Sequence, residues 1–121
     1  MRLASHRDLH VWQKAMDLVT ACYRLTASFP KMETYGLASQ LQRAAVSVPA
    51  NIAEGKGRAK TGAYLQHLSI AAGSLAELDT HLGVAQRLGY ISEDQLTEIT
   101  GKLEEVGRML TGLRKSLATG A

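Results

Sequence analysis

Leu96, Ile99, Leu103, Val106, Leu110, Leu113 and Leu117 recur at alternating spacings of three and four residues, an unbroken heptad seam near the end of the chain. A strand alternates its faces every second residue, so this rhythm is buried as a helix. Ahead of it, Ser92-Glu93-Asp94-Gln95 is a capping box. In such a box the serine hydroxyl accepts the backbone N–H three residues on, and the glutamine side chain reaches back to the serine N–H. A helix with this seam packs against neighbours at shallow angles, as in bundles and coiled coils, and carries no chemistry of its own. The rest of the chain must supply those neighbours.

Three further segments have helical periodicity. The first begins near Asp8, an N-cap residue, and sets Trp12, Ala15, Met16, Val19, Cys22, Tyr23 and Thr26 on one face before Phe29-Pro30 stops it. Lys14, Asp17 and Arg24 take its outer side. The second covers about residues 35–54, and the glycines of Gly55-Lys56-Gly57 supply the permissive backbone that ends it. The third covers about residues 61–88, with Gly89 suited to its C-terminal cap and Leu65, Leu68, Ala72, Leu75 and Leu82 on one face. Ile70, Val84 and Leu88 lie off that face, with Gly73 nearby. A helix apolar on more than one side is buried on more than one side, so these four residues are candidates for contact with another chain. Residues 118–121 are expected to fray. With no strand pattern, repeat or low-complexity stretch in competition, the expected fold is all-α, an up-down antiparallel four-helix bundle with short loops.

A chain of 121 residues holds one domain, spanning 1–121 with its core at about 8–117, and can bury that core without disulfides or a metal. The single cysteine, Cys22, lies between Ala21 and Tyr23 and reads as a small buried thiol, which excludes a disulfide framework and fits a cytoplasmic setting. The N-terminus is polar and mixed in charge, and no apolar run reaches the roughly 18 residues of a membrane span, so a soluble, unsecreted protein with no membrane partner is expected. The net charge of +3 conceals an asymmetry: residues 1–60 carry nine Lys/Arg against four Asp/Glu, and residues 61–121 carry five against seven. A basic half attracts phosphate backbones through counterion release, docks on an acidic partner, or is simply solvated.

Folding alone explains residues 43–58 least well. Leu37, Leu41, Ala44, Val48 and Ile52 share one helix face, while Arg43, Ser47, Asn51, Glu54 and Arg58 form a separate polar stripe beside it. Pro49 lacks an N–H and its ring clashes with the carbonyl of residue 45, so a helix through it must bend or borrow a donor such as the Ser47 hydroxyl. The segment is either a kinked structural helix or a kink that also shapes a binding or assembly surface.

Catalytic chemistry needs convergent polar groups, and here they are scattered. His6 and His10 lack a third ligand nearby, and His67 and His81 are too far apart along one helix to touch. Gly55-Lys56-Gly57 lacks the spacing of a phosphate-binding P-loop, and no nucleophile has a neighbouring base. Di-metal bundles use Glu-x-x-His pairs, which are missing, and the possible interior acids are Glu54, Glu77 and Asp79. Glu54 and Glu77 are expected to neutralise Arg43 or Arg58 across a helix or subunit contact, because charges near an apolar interface need partners. No enzyme, cofactor or metal site is expected.

Asp8-Leu9-His10-Val11-Trp12-Gln13-Lys14-Ala15-Met16, Phe29-Pro30, Tyr35-Gly36-Leu37-Ala38-Ser39-Gln40-Leu41, the 43–58 segment and Ile70-Ala71-Ala72-Gly73-Ser74-Leu75-Ala76-Glu77-Leu78 together carry a specific likeness. With them, residues 8–113 resemble the four-helix-bundle proteins encoded by intervening sequences of bacterial 23S ribosomal RNA genes. The resemblance implies a ring-like homopentamer. It extends more loosely to accessory proteins of diversity-generating retroelements, basic pentamers that bind nucleic acid and a reverse transcriptase. The family has no assigned catalytic residues, and Arg43, Pro49, Asn51, Glu54, Gly55 and Arg58 match its recurrent positions, which implies a shared structural or assembly role; the expected assembly or structural polar stripe is Arg43, Ser47, Pro49, Asn51, Glu54 and Glu77. Two departures are Gln42-Arg43, where relatives commonly have two adjacent basic residues, and a net charge of only +3, which is low beside the retroelement proteins.

Two functions follow as expectations. One is a non-enzymatic nucleic-acid-binding module, RNA or DNA, in which a ring multiplies a modest basic patch of Arg43, Lys56, Arg58 and Lys60 with Lys14 and Arg24 contributing. The other is a protein-interaction scaffold, for example for a reverse transcriptase, with incidental nucleic-acid affinity. Tyr64 is the one aromatic near the basic turn that could stack on a base.

Overall fold

The computed structural model describes residues 5–120. Within them the chain forms α1 (His10–Thr26), α2 (Leu37–Lys56), α3 (Thr61–Arg87) and α4 (Glu93–Ala118), with 3-10 turns at His6–Asp8 and Lys31–Glu33. Each helix packs on its chain neighbour and α4 closes against α1, with no diagonal helix contact among the described residues. Short connections leave each helix no choice but to run back along the previous one, so the expected up-down four-helix bundle is the fold. It follows that the start of α1, the end of α2, the start of α3 and the end of α4 share one end of the bundle.

The heptad seam behaves as expected. Ser92 caps α4 through Gln95 N–H, the Gln95 side chain returns to Ser92 N–H, and Ile99, Leu103, Val106 and Leu110 are buried. Leu18, Leu41, Ile52, Leu68, Leu78, Leu82 and Leu110 are fully enclosed and form the centre of the core. No helix among the described residues is long and apolar enough to cross a membrane. At the C-terminus α4 runs to Ala118 with Thr119 as its cap; of the segment expected to fray, Ala121 lies outside the described residues, as do residues 1–4 of the polar N-terminus.

Helix α1 departs from expectation in start and in face. Asp8 is not its N-cap: Asp8 belongs to the preceding 3-10 turn, where its carboxylate accepts the Ser5 N–H at 3.2 Å. The buried residues of α1 are Val11, Ala15, Leu18, Cys22 and Thr26, whereas Met16 and Tyr23 are exposed. Two interleaved apolar sets, one built on Val11 and Leu18 and one on Trp12, Met16 and Tyr23, fit the same period, and the bulkier set is the outer one. Trp12 sits at the flank, its ring edge-on to His6 at 5.1 Å with the Arg7 guanidinium 5.9 Å from its centroid. Cys22 is buried as expected, and burial pushes its thiol pKa up to about 12.

Helix α2 starts two residues later than expected and runs through Gly55 to Lys56. Gly55 therefore does not end it, and Gly57, the C-cap, has φ −77 and needs no glycine conformation. Positive φ occurs among the described residues only at Gly89 and Gly120. What Gly55 supplies is space, because a Cβ there would stand 2.8 Å from Tyr64 Cδ1 and 3.2 Å from the Tyr64 carbonyl oxygen. In α3 the interior is taken by Tyr64, Leu68, Ala71, Leu75, Leu78, Leu82 and Ala85, while Leu65 and Ala72 are half-buried. Ile70, Val84 and Leu88 remain 46%, 41% and 54% exposed, and Gly73 is open to solvent.

The end of the bundle opposite the α2–α3 turn is held by Glu33. One carboxylate oxygen accepts the Leu37 N–H at the start of α2 (3.1 Å) and the other accepts the Tyr90 hydroxyl (2.8 Å), tying the α1–α2 connection to the α3–α4 connection. Tyr90 also lies against Phe29, ring centroids 5.4 Å apart. The Leu37 N–H first and the Tyr90 hydroxyl second hold the Glu33 carboxyl below its ordinary pKa of 4.5. A carboxyl with a depressed folded pKa stabilises the fold above its unfolded pKa and loses that contribution as pH falls through the folded value. The stability advantage of the native chain over Glu33→Gln is therefore expected to shrink as pH drops below about 4.5, measured by urea unfolding at stepped acid pH. An advantage constant down to pH 2 would refute the coupling.

Candidate functional site

Where α2 lies along α3, their outer edges are joined by polar side chains. Ser47 Oγ and Ser74 Oγ are 2.7 Å apart, and Asn51 Nδ2 donates to the Ser47 carbonyl (2.9 Å) and to Ser47 Oγ (3.1 Å). A carbonyl only accepts, so Asn51 Nδ2 faces Ser47 and Asn51 Oδ1 faces His67, whose Nδ1 is 3.1 Å away. That oxygen also only accepts, which puts the His67 proton on Nδ1. Glu54 Oε2, 3.4 Å from the same nitrogen, is a second acceptor for it. The result is a ladder, Ser74–Ser47–Asn51–His67–Glu54, in which no buried side-chain polar atom is left without a partner.

Pro49 is buried inside a helix that continues through it, as the sequence suggested. The Ser47 hydroxyl does not serve the carbonyl that Pro49 cannot satisfy; it points across to Ser74. The polar stripe is thus divided: Ser47 and Asn51 are half-buried in the helix contact, and Arg43, Glu54 and Arg58 are exposed. Glu54 and Glu77 do not neutralise Arg43 or Arg58. They approach His67 (3.4 Å) and His81 (4.0 Å), and no described carboxylate forms an ion pair with either arginine. The reason is geometric: His67 and His81 lie one turn or one helix away from those acids, whereas Arg43 projects to solvent. Arg43→Ala is accordingly worth no more than the roughly 0.5 kcal/mol of an ordinary surface change, not the loss expected of a buried pair. Glu54, Glu77 and Asp79, the acids expected in the interior, are all exposed, and no three potential metal ligands converge among the described residues.

The expected basic patch is only partly assembled. Lys56, Arg58 and Lys60 come together at the α2–α3 turn. Arg43 lies thirteen residues before Lys56 on α2, roughly 20 Å away along the axis. Arg24 is near the far end of α1, where Asp17, Glu98 and Lys102 share an open groove of ≈ 570 Å³ with it, so acid and base alternate there. Lys14 is paired with Glu105 at 3.5 Å. Tyr64 is buried beneath Gly55 and offers no ring for stacking. What the sequence reading missed is α4: the antiparallel order brings Arg114 and Lys115 beside Leu65, near the start of α3, where they line one shallow groove. The signal was present as the run of bases closing a helix whose acids all precede them.

Residues 7–112 match the family described as 23S rRNA-intervening sequence protein. Among solved structures, a protein of unknown function from the S23 ribosomal protein family of Bacteroides thetaiotaomicron superposes with a TM-score of 0.78 at 21% identity, over 87% of this chain and 98% of that one. Curated proteins gave no match. With a family match across nearly all of its helices, the chain belongs to the 23S rRNA-intervening sequence protein family.

Proposed function

We propose that this protein is a non-enzymatic nucleic-acid-binding bundle that works as a ring of copies, five in number by the family resemblance. The observation that carries the reading is the cluster of half-buried Lys56 and exposed Arg58 and Lys60 at an end of the bundle, with no described ion pair holding any of them. Cations free of protein partners are available to displace the counterions of a phosphate backbone. Self-association is supported by the outer face of α3, where His67, Ile70, Ser74, Glu77, His81, Val84 and Leu88 repeat at heptad spacing with three large apolar side chains exposed among them. A ring repeats a modest patch several times, and multivalency raises the affinity of weak single sites.

Fluorescence anisotropy with labelled ribosomal RNA fragments and unrelated duplex DNA, between low and physiological salt, tests binding. Weak, largely sequence-independent binding that falls steeply with salt is the expected result. No binding at low salt would replace this reading with that of a protein-interaction scaffold. Light scattering coupled to size exclusion tests assembly: a monomer at micromolar concentration would refute the ring, and Ile70→Asp or Val84→Asp is expected to shift an assembled protein to smaller species.

A further inference from the structure

The geometry points to a phosphate-binding surface across one whole end of the bundle, built by Lys56, Arg58 and Lys60 of the α2–α3 turn together with Arg108, Arg114 and Lys115 of α4, whose ligand is the backbone of a nucleic-acid duplex. This rests on the nucleic-acid reading above and specifies its site. In the sequence the last three residues belong to the more acidic half. Folding changes the grouping, because the last turns of α4 lie beside the first turns of α3: Gly107 faces Leu75, and Arg114 and Lys115 line a groove with Leu65. Residues 49–74 and 106–120, which make up this end of three helices, contain those six bases and the single acid Glu54, itself directed at His67. Residues 75–105, the α3 and α4 part of the opposite end, hold seven acids, Glu77, Asp79, Glu93, Asp94, Glu98, Glu104 and Glu105, against Arg87 and Lys102, and residues 19–48 of α1 and α2 add Arg24, Lys31 and Arg43 against Glu33 there, which leaves that end net acidic. The charge of the protein is therefore separated along the bundle axis.

Helix stabilisation does not account for the arrangement. Bases in the last turns of α4 suit its dipole, but α3 begins at Lys60 with no side-chain cap and no acid in its first turn, where a cation is unfavourable. Since the dipoles of antiparallel helices alternate at each end, they offset, and side chains set the field. An acidic protein is the less suitable ligand. Protein contacts centre on buried apolar or aromatic anchors, and the three most exposed large apolar residues, Tyr35, Met32 and Leu88, lie toward the other end of the bundle. A duplex backbone needs only cations, and the lack of an exposed ring here disfavours stacking on single strands.

Three variants that each remove three charges test the site: Lys56→Gln/Arg58→Gln/Lys60→Gln, Arg108→Gln/Arg114→Gln/Lys115→Gln, and, at the opposite end, Lys31→Gln/Arg87→Gln/Lys102→Gln. The probes are a duplex RNA and a duplex DNA of the same sequence. Each of the first two variants is expected to weaken binding roughly tenfold or more at low salt and to lower the slope of log affinity against log salt by about 2–3. The third is expected to change affinity less than about twofold at physiological salt, because Lys31 and Arg87 lie several Debye lengths from the basic turn and Lys102, about 9 Å along α4 from Arg108, about one. Lysine acetylation of the native protein supplies a readout that needs no variant: bound duplex is expected to protect Lys56, Lys60 and Lys115 and to leave Lys31 and Lys102 reactive. Equal effects of all three variants, or equal protection of all five lysines, would overturn the end-on site while leaving nucleic-acid binding intact. Absence of binding by the native protein to either duplex would overturn both, and binding of an acidic peptide pool in its place would reassign the surface to a protein ligand.

Discussion

Gly55→Val is expected to destabilise the folded chain by about 3 kcal/mol, the upper range for overfilling a packed site. A Cβ at this position stands 2.8 Å from Tyr64 Cδ1, 3.0 Å from His67 Cβ and 3.2 Å from the Tyr64 carbonyl oxygen. The last of these is backbone of α3 and cannot rotate away, and Tyr64 is buried, so relief requires the end of α2 to separate from α3. Valine adds two methyls to that collision. The comparison that isolates the cause is Gly101→Ala or Gly112→Ala in α4, where an added Cβ meets nothing within 4 Å. There the gain in helix propensity is expected to stabilise by up to about 1 kcal/mol. Urea midpoints at one protein concentration decide both, since any self-association makes stability concentration-dependent. Opposite signs support the close approach; a stabilising Gly55→Val would refute it.

Gly55 also shows which parts of the structure were legible in advance. A glycine beside Lys56 and Gly57 after an apolar run is the pattern of a helix end, and one-dimensional pattern cannot tell a glycine needed for its backbone from one needed for its missing Cβ. The capping box at Ser92, the α4 seam and the termination of α3 before Gly89 were readable because local hydrogen bonding and periodicity determine them. The face of α1 was not, since Val11 and Leu18 compete with Met16 and Tyr23 at the same period and only the neighbouring helices choose between them. The same limit applied to charge. Residues 108, 114 and 115 are distant in sequence from residues 56, 58 and 60, and the antiparallel topology alone brings the two groups to one end. Arg24 and Arg43, grouped with the basic turn by sequence, lie toward the other end for the same reason.

Asn51→Ala is expected to cost about 2 kcal/mol, because it strands partners that are shielded from water. The Asn51 amide bridges two helices: Nδ2 holds Ser47 on its own helix, and Oδ1 receives the His67 proton from α3. With the amide gone, His67 Nδ1 retains Glu54 at 3.4 Å, a longer contact to an exposed carboxylate. A cycle of Asn51→Ala, His67→Ala and the double variant is expected to give a coupling of about 1 kcal/mol. Arg43→Ala, three turns of α2 away from the end, serves as the reference for an exposed position on the same stripe with no described ion pair. The contrast decides what the stripe is for. Coupling at Asn51 with none at Arg43 makes its inner half a lock between α2 and α3, set beside Pro49 where the helix has lost one of its own hydrogen bonds. If the two variants cost the same small amount, the ladder contributes nothing to the fold, and its polar groups are free to meet another chain.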